Sequence, residues 1–208
     1  MNTQPDRIRA GTGARIGECV DVLPGYALKS CARHDPAGSH QVILGKHLPA
    51  LGTGYRYHPR HELRITPKGK TANYLVKTGD ILFVSRGARN QAVLVEAAPE
   101  RTIASATFYL LRTRGGVDGA YLAWFLNQTI AQDRIRQVRT GAGTPIVQRH
   151  AFADIVIPLP PPDIQRTIAR LGACMARERI LRQTLMERTA QLHTLIGRRL
   201  ICHNGSNS

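Results

Sequence analysis

The chain has 208 residues, with 29 Lys+Arg against 14 Asp+Glu, a formal net charge of +15 and 42% hydrophobic residues. That length fits one domain of about 150 residues with an appendage, and the apolar content excludes a disordered chain. No run of about 18 apolar residues occurs, which excludes a membrane-spanning helix and leaves a cytoplasmic protein as the expectation.

Residues 1–14 are polar with no apolar stretch after their charges, so they read as a flexible leader and not as a secretory signal. Ile16, Cys19, Val20 and Leu23 recur at helical spacing up to Pro24-Gly25, predicting a helix. The apolar run from Val42 to Leu44 predicts a buried strand. The following stretch, 45–70, is rich in Gly, Pro, His and Tyr and reads as loop. Gly79-Asp80 marks a turn into a strand over 81–84 that Gly87 closes, and further strands are predicted at 92–95, 102–104 and 108–111.

The pattern then changes to helices over 119–127 and 130–138, broken by Gly141-Ala142-Gly143-Thr144-Pro145. A last strand at 155–157 runs into Pro158-Leu159-Pro160-Pro161-Pro162, which cannot be central in a sheet. Asp163 is placed to cap one long helix reaching Ile201. At 1.5 Å per residue such a helix is about 60 Å long, roughly twice the width of a small domain, so most of it lacks cover from its own domain. Its apolar positions Ile168, Leu171, Met175, Leu181, Leu185, Leu192 and Leu195 are expected to meet a helical partner, although Glu178 and Arg182 interrupt the heptads and Gly172 weakens the first third. The expected fold class is α+β: a β-rich globular domain over 15–157, a proline junction and long helix over 158–202, and a tail over 203–208.

Chemistry-bearing motifs are few. Cys19, Cys31, Cys174 and Cys202 form no CxxC pair and read as reduced thiols. His47, His58 and His61 lack the companion ligands of a metal site, and no metal is expected. Gly69-Lys70-Thr71 has Arg64 where a phosphate loop needs its first glycine. No Gly-x-Ser-x-Gly elbow, dinucleotide fingerprint or clustered carboxylate set occurs, so a binding module is expected and not an enzyme.

The charge points to a polyanion. Residues 40–95 carry nine basic against two acidic residues, and a second run, Arg134, Arg136, Arg139 and Arg149, has no acid between its ends. Local excess of this kind favours nucleic acid, because neutralising phosphates releases counterions. Lys46, Arg56, Lys68, Lys70, Arg86, Arg89 and Arg149 are candidates for phosphate or guanine edges. Asn90, Gln91 and Gln148 have amides suited to adenine, and Tyr57 and Thr144 can add groove or phosphate contacts.

Several segments in this order, namely 25–30, 77–87, 121–127, 141–148 and above all Ile155-Val156-Ile157-Pro158-Leu159-Pro160-Pro161 with Gln165 and Ile168-Ala169, resemble the specificity subunit of type I restriction-modification enzymes. The resemblance runs from about Ile16 to Ile201; Pro162 and Ile164 stand where that family usually has Leu and Glu. It implies a non-catalytic subunit that recognises double-stranded DNA alongside a methyltransferase subunit and a restriction subunit. S-adenosylmethionine and ATP are then expected on those partners, and no cofactor on this chain. Such subunits usually hold two recognition domains and two long helices; this chain has one of each. It therefore resembles a half subunit, expected to form a homodimer through antiparallel long helices and to read a bipartite site. The alternative is an accessory or defence protein of the same fold that acts through protein partners.

Overall fold

The computed structural model describes residues 13–28 and 33–204. The elements run β1 (Gly13–Arg15), α1 (Ile16–Cys19), β2 (Val20–Pro24), β3 (His40–Ile43), β4 (Tyr55–Arg56), β5 (Arg64–Ile65), β6 (Ile81–Val84), β7 (Ala92–Ala97), β8 (Thr102–Ala104) and β9 (Phe108–Thr113). They continue with α2 (Gly119–Leu126), α3 (Thr129–Gln137), β10 (Arg139–Thr140), β11 (Ile146–Val147), α4 (Arg149–Ala153), β12 (Val156–Pro158) and α5 (Pro162–Asn204). The fold is α+β with a long C-terminal helix, as the sequence indicates.

A five-stranded sheet in the order β2-β9-β6-β7-β4 forms the frame, antiparallel except for the β4–β7 pair. Its central strands are covered on both faces, which explains their unbroken apolar runs. Because side chains alternate along a strand, Ile81 and Phe83 of β6 enter a core with α1, α2, α3 and α4, while Leu82 enters another with Tyr55, Val93 and Leu110. A three-stranded sheet, β5-β3-β8, joins that second side through Ile43 and Ala104. The small pairs β1–β12 and β10–β11 complete the domain.

Four local expectations change. The helix expected over 16–23 is one turn only, since Val20–Pro24 pairs along β9 and the β-branched Val20 and Val22 suit that strand. Gly13 and Ala14, expected in the leader, pair with Pro158 and Ile157 in a strand; the rest of the leader lies outside the described residues. The tail expected from His203 begins later, because α5 continues to Asn204, and 205–208 lie outside the described residues. The weak glycine at 172 is a packing device: it is buried, and a Cβ there would stand 2.2 Å from Trp124 Cδ1 on α2.

α5 is tied to the domain over its first turns. Gln165, 1% exposed, accepts from the Asp118 amide at 2.8 Å and donates to the carbonyls of Gly116 at 2.9 Å and Pro160 at 2.8 Å. Asp118 itself caps α2 by accepting from the Tyr121 amide, and the Tyr121 hydroxyl donates to the Pro158 carbonyl. Ala169, Gly172 and Ala176 then lie against α2 and the loop around Gly52. Gln165→Ala strands three backbone groups at this junction and should lower stability by about 1–3 kcal/mol, seen as a lower urea midpoint with an unchanged slope.

Candidate nucleic-acid interface

One end of the five-stranded sheet gathers the basic loops. β2 leaves the sheet there at Pro24, β6 leaves at Val84 and β9 enters at Phe108. The loop after β6 is locked by its backbone. Ser85 N–H donates to the Thr107 carbonyl at 2.9 Å, Val147 N–H to the Ser85 carbonyl at 2.9 Å, and Gly87 N–H to the Pro145 carbonyl at 2.9 Å. Gly87 has φ of +108°, a conformation that a side chain resists, so the turn that aims Arg86 and Arg89 outward requires glycine.

These bonds fix the β10–β11 hairpin beside the loop and bring the two basic runs of the sequence together. Arg86 and Arg149 both stand near Tyr109, whose hydroxyl donates to the Val147 carbonyl at 2.7 Å. Burial raises the Tyr109 pKa, and the two guanidiniums oppose that rise. Thr144 is exposed at the hairpin tip, and Gln148 donates to the Thr140 hydroxyl at 2.8 Å. Arg139 donates through Nε to Asn90 Oδ1 at 2.7 Å and through Nη2 to the Ala88 carbonyl at 2.7 Å. Arg89, Arg136 and Arg139 line a groove of about 650 Å³ with no acid in its wall. Arg136 pairs with Asp133.

The 105–107 turn links this loop to a second basic turn. Thr107 holds Ser85 on one side, and Ser105 pairs with Tyr26 on the other. The Tyr26 hydroxyl accepts from the Lys68 amide at 3.1 Å, and its ring meets Tyr74 edge-on at 5.4 Å. Lys68 and Lys70 therefore project from a turn braced by that tyrosine, and both are exposed. Among the described residues, Lys46, Lys68, Lys70, Arg86, Arg89 and Arg149 have no carboxylate partner.

The opposite end of the sheet differs. There Arg112 donates to Asp80 at 3.1 Å and to the Leu75 carbonyl at 2.5 Å, and Arg114 pairs with Asp21 at 3.1 Å. Arg112 and Arg114 at that end support the fold, while Lys68, Lys70, Arg86, Arg89 and Arg149 face solvent without carboxylate partners.

Three of the expected contact residues are committed elsewhere. Asn90 is 1% exposed; it donates to the Val84 carbonyl at 2.8 Å and accepts from Arg139, so its amide cannot reach a base. Arg56 is neutralised by Glu96 at 2.7 Å. Gln91 spends one donor on the Pro49 carbonyl at 3.1 Å. Tyr57 is half-buried, its amide donating to the Ala97 carbonyl at 2.9 Å, and Lys46 is exposed in a turn at Gly45–His47. Sequence reasoning left out Arg139 and Tyr109 as contributors; the signal for Arg139 lay in the acid-free arginine run.

The histidines do converge, with His47 stacked on His61 at 5.1 Å and His58 at 5.9 Å from His61. Two of them serve the backbone, His47 Nδ1 accepting from the Leu44 amide and His58 Nδ1 from the Arg60 amide, while His61 Nδ1 is buried without a partner among the described residues. Among the described residues no group of three or more His, Cys, Asp or Glu side chains is arranged to hold a metal ion. Cys19 and Cys174 carry free thiols; Cys31 and the side chain of Cys202 lie outside the described residues. Among the described residues no helix is long and apolar enough to cross a membrane.

No protein-family model and no curated protein matches the chain in sequence. Solved structures match in shape. A chain from a structure of type I R-M complex assembly and conformational transition is 18% identical, with a TM-score of 0.67 over 92% of this chain and 45% of that one. The HsdS subunit from Thermoanaerobacter tengcongensis is 16% identical, with a TM-score of 0.58 over 86% of this chain and 40% of its own. The S subunit of the type I restriction-modification system from M. genitalium is 14% identical, with a TM-score of 0.51 over 81% and 40%. The chain has the S-subunit fold. It spans less than half the length of each of these counterparts.

Within this S-subunit fold, Tyr55 sits on the wall between the histidines and the second core. It is 1% exposed, its hydroxyl has no partner among the described residues, and burial pushes its pKa up to about 12. A phenol with a raised folded pKa stabilises the fold fully below the unfolded value of about 10, and that contribution is lost as pH climbs toward the folded one. Because its hydroxyl is buried without a partner, Tyr55→Phe should be neutral or stabilising at pH 7, and with no phenol to ionise it should flatten the alkaline fall in melting temperature.

Proposed function

We propose that the chain is a DNA-recognition subunit of a type I restriction-modification complex, without catalytic chemistry of its own. The observation that carries this reading is the coincidence of the S-subunit fold with a row of unpaired cations on loops at one end of its main sheet. Duplex DNA supplies the anions those loops lack. Arg86, Arg89, Arg149, Lys68 and Lys70 would contact phosphates or guanine O6 and N7, and Gln148 and Gln91 would offer what remains of their amides to adenine. Thr144 at the hairpin tip would reach the groove or a phosphate.

On this reading α5 pairs with a second copy, so that two recognition domains face two half-sites of one bipartite target. A methyltransferase subunit and a restriction subunit would supply S-adenosylmethionine and ATP chemistry, and the complex would act in the cytoplasm. Association with a methyltransferase subunit tests the assembly: co-purification is expected, together with methylation of one defined bipartite motif in cells expressing both. A chain that binds DNA but ignores every methyltransferase subunit encoded beside it would be an accessory protein of the same fold.

The DNA contacts are tested by gel-shift titration over a salt series on the motif so defined. Arg86→Ala and Arg89→Ala should each weaken binding and reduce the steepness of the salt dependence by about one counterion. Asn90→Ala should instead lower thermal stability by about 1–3 kcal/mol through its buried amide. Unchanged affinity in both arginine variants would remove this loop from the interface.

A further inference from the structure

α5 carries a seam whose spacing alternates between four and three residues, exposed along most of its length, with Ile168 half-buried against the domain's core. It runs Ile164, Ile168, Leu171, Met175, Glu178, Arg182, Leu185, Thr189, Leu192, Ile196. Leu171, Met175, Leu185, Leu192 and Ile196 are between 48% and 67% exposed. Two charges in the middle of such a seam are costly to cover with an apolar partner. Within one chain they meet only each other, Arg182 to Glu178 at 2.7 Å, both still open to solvent.

The seam is complementary to itself when reversed. About a two-fold axis beside Ile180, Ile164 stands opposite Ile196 of a second copy, Ile168 opposite Leu192, Leu171 opposite Thr189 and Met175 opposite Leu185. Glu178 then faces Arg182 of the second copy, and Arg182 faces its Glu178. Leu181 flanks the axis and meets its own counterpart. Arg179, on the other flank, is directed to its own domain, where it lies beside Gly52.

Other arrangements fail on charge. A parallel pair sets Glu178 on Glu178 and Arg182 on Arg182. An antiparallel slip of one heptad sets Arg182 on Leu185 and Glu178 on Thr189, or Leu171 on Arg182 and Met175 on Glu178, and so buries charge against side chains that cannot compensate it. A polar position within an apolar seam is a known means of fixing register.

We propose that α5 pairs antiparallel with α5 of a second copy in one register, fixed by two reciprocal Glu178–Arg182 contacts at the dimer axis. The proposal rests on the homodimer reading above, antiparallel as the family resemblance implies, and adds the register and the residues that select it. The apparent flaw in the heptads is the specificity element of the interface.

The test uses the full chain in sedimentation-velocity titrations, with circular dichroism to verify folding. The wild type should dimerise, and Glu178→Arg and Arg182→Glu should each weaken the dimer by roughly tenfold or more. Mixed in equal amounts, the two variants should associate about as tightly as wild type, since one seam then carries two arginines and the other two glutamates. The double reversal in a single chain should also restore the homodimer. A wild-type dimer whose variants are unaffected, or whose mixture gains nothing over either variant alone, would overturn the register and leave the homodimer standing. A wild-type monomer at tens of micromolar would overturn the homodimer reading and this proposal with it.

Discussion

A helix of 43 residues cannot be covered by a domain this small, so its direction is set entirely by its first four turns. Gln165 is the residue that makes this junction rigid, because its one side chain joins the loop before α2, at Gly116 and Asp118, to the proline run at Pro160. The small residues Ala169, Gly172 and Ala176 then allow close approach of α5 to α2 and the Gly52 loop, and Trp124 occupies the room that a side chain at position 172 would have filled. A hydrogen-bonded clamp followed by tight packing gives a fixed angle, as either alone would not.

The same frame carries rigidity to the loops. Asn127, at the end of α2, donates to the Ala92 carbonyl at 2.7 Å and accepts from the Ala92 amide at 3.0 Å, so α2 is bonded to the start of β7. β7 begins where the Arg86–Gln91 loop ends, and Asn90 in that loop is held by Arg139 from the hairpin and by Gln132 of α3. An unbroken path of packed and hydrogen-bonded groups therefore runs from α5 through α2 to the arginine loop. Loops so mounted keep a constant relation to the helix.

Charge is arranged along the same axis. At the Asp80 end, Arg112 is paired with a carboxylate that is itself buried, and Asp80 also accepts from the Lys77 amide at 2.7 Å. At the loop end Lys68, Lys70, Arg86, Arg89 and Arg149 lack such partners and are exposed. The net charge of +15 is thus not a uniform coat: among the described residues Arg112 is consumed in holding the turn before β6, while Lys68, Lys70, Arg86, Arg89 and Arg149 are exposed.

The elements that could be read from the sequence are those whose signal is local. The run Ile81–Val84 was legible because both its faces are buried, and α2, α3 and α5 because a helix places its apolar residues in a repeating period over several turns. β1, β10, β11 and α4 were not, because strands of two or three residues and a helix of five owe their existence to partners far away in the chain. β2 misled for the same reason: Ile16, Cys19, Val20 and Leu23 fit a helical period, but pairing with β9 decides the conformation after the first turn. The arginine excess drew attention to loops that the fold places side by side, while Asn90 is buried, which the sequence could not show because an amide in a basic loop looks alike whether it faces solvent or a neighbouring arginine. Only the fold around Arg139 separates those two cases, and that contact spans 49 residues of sequence.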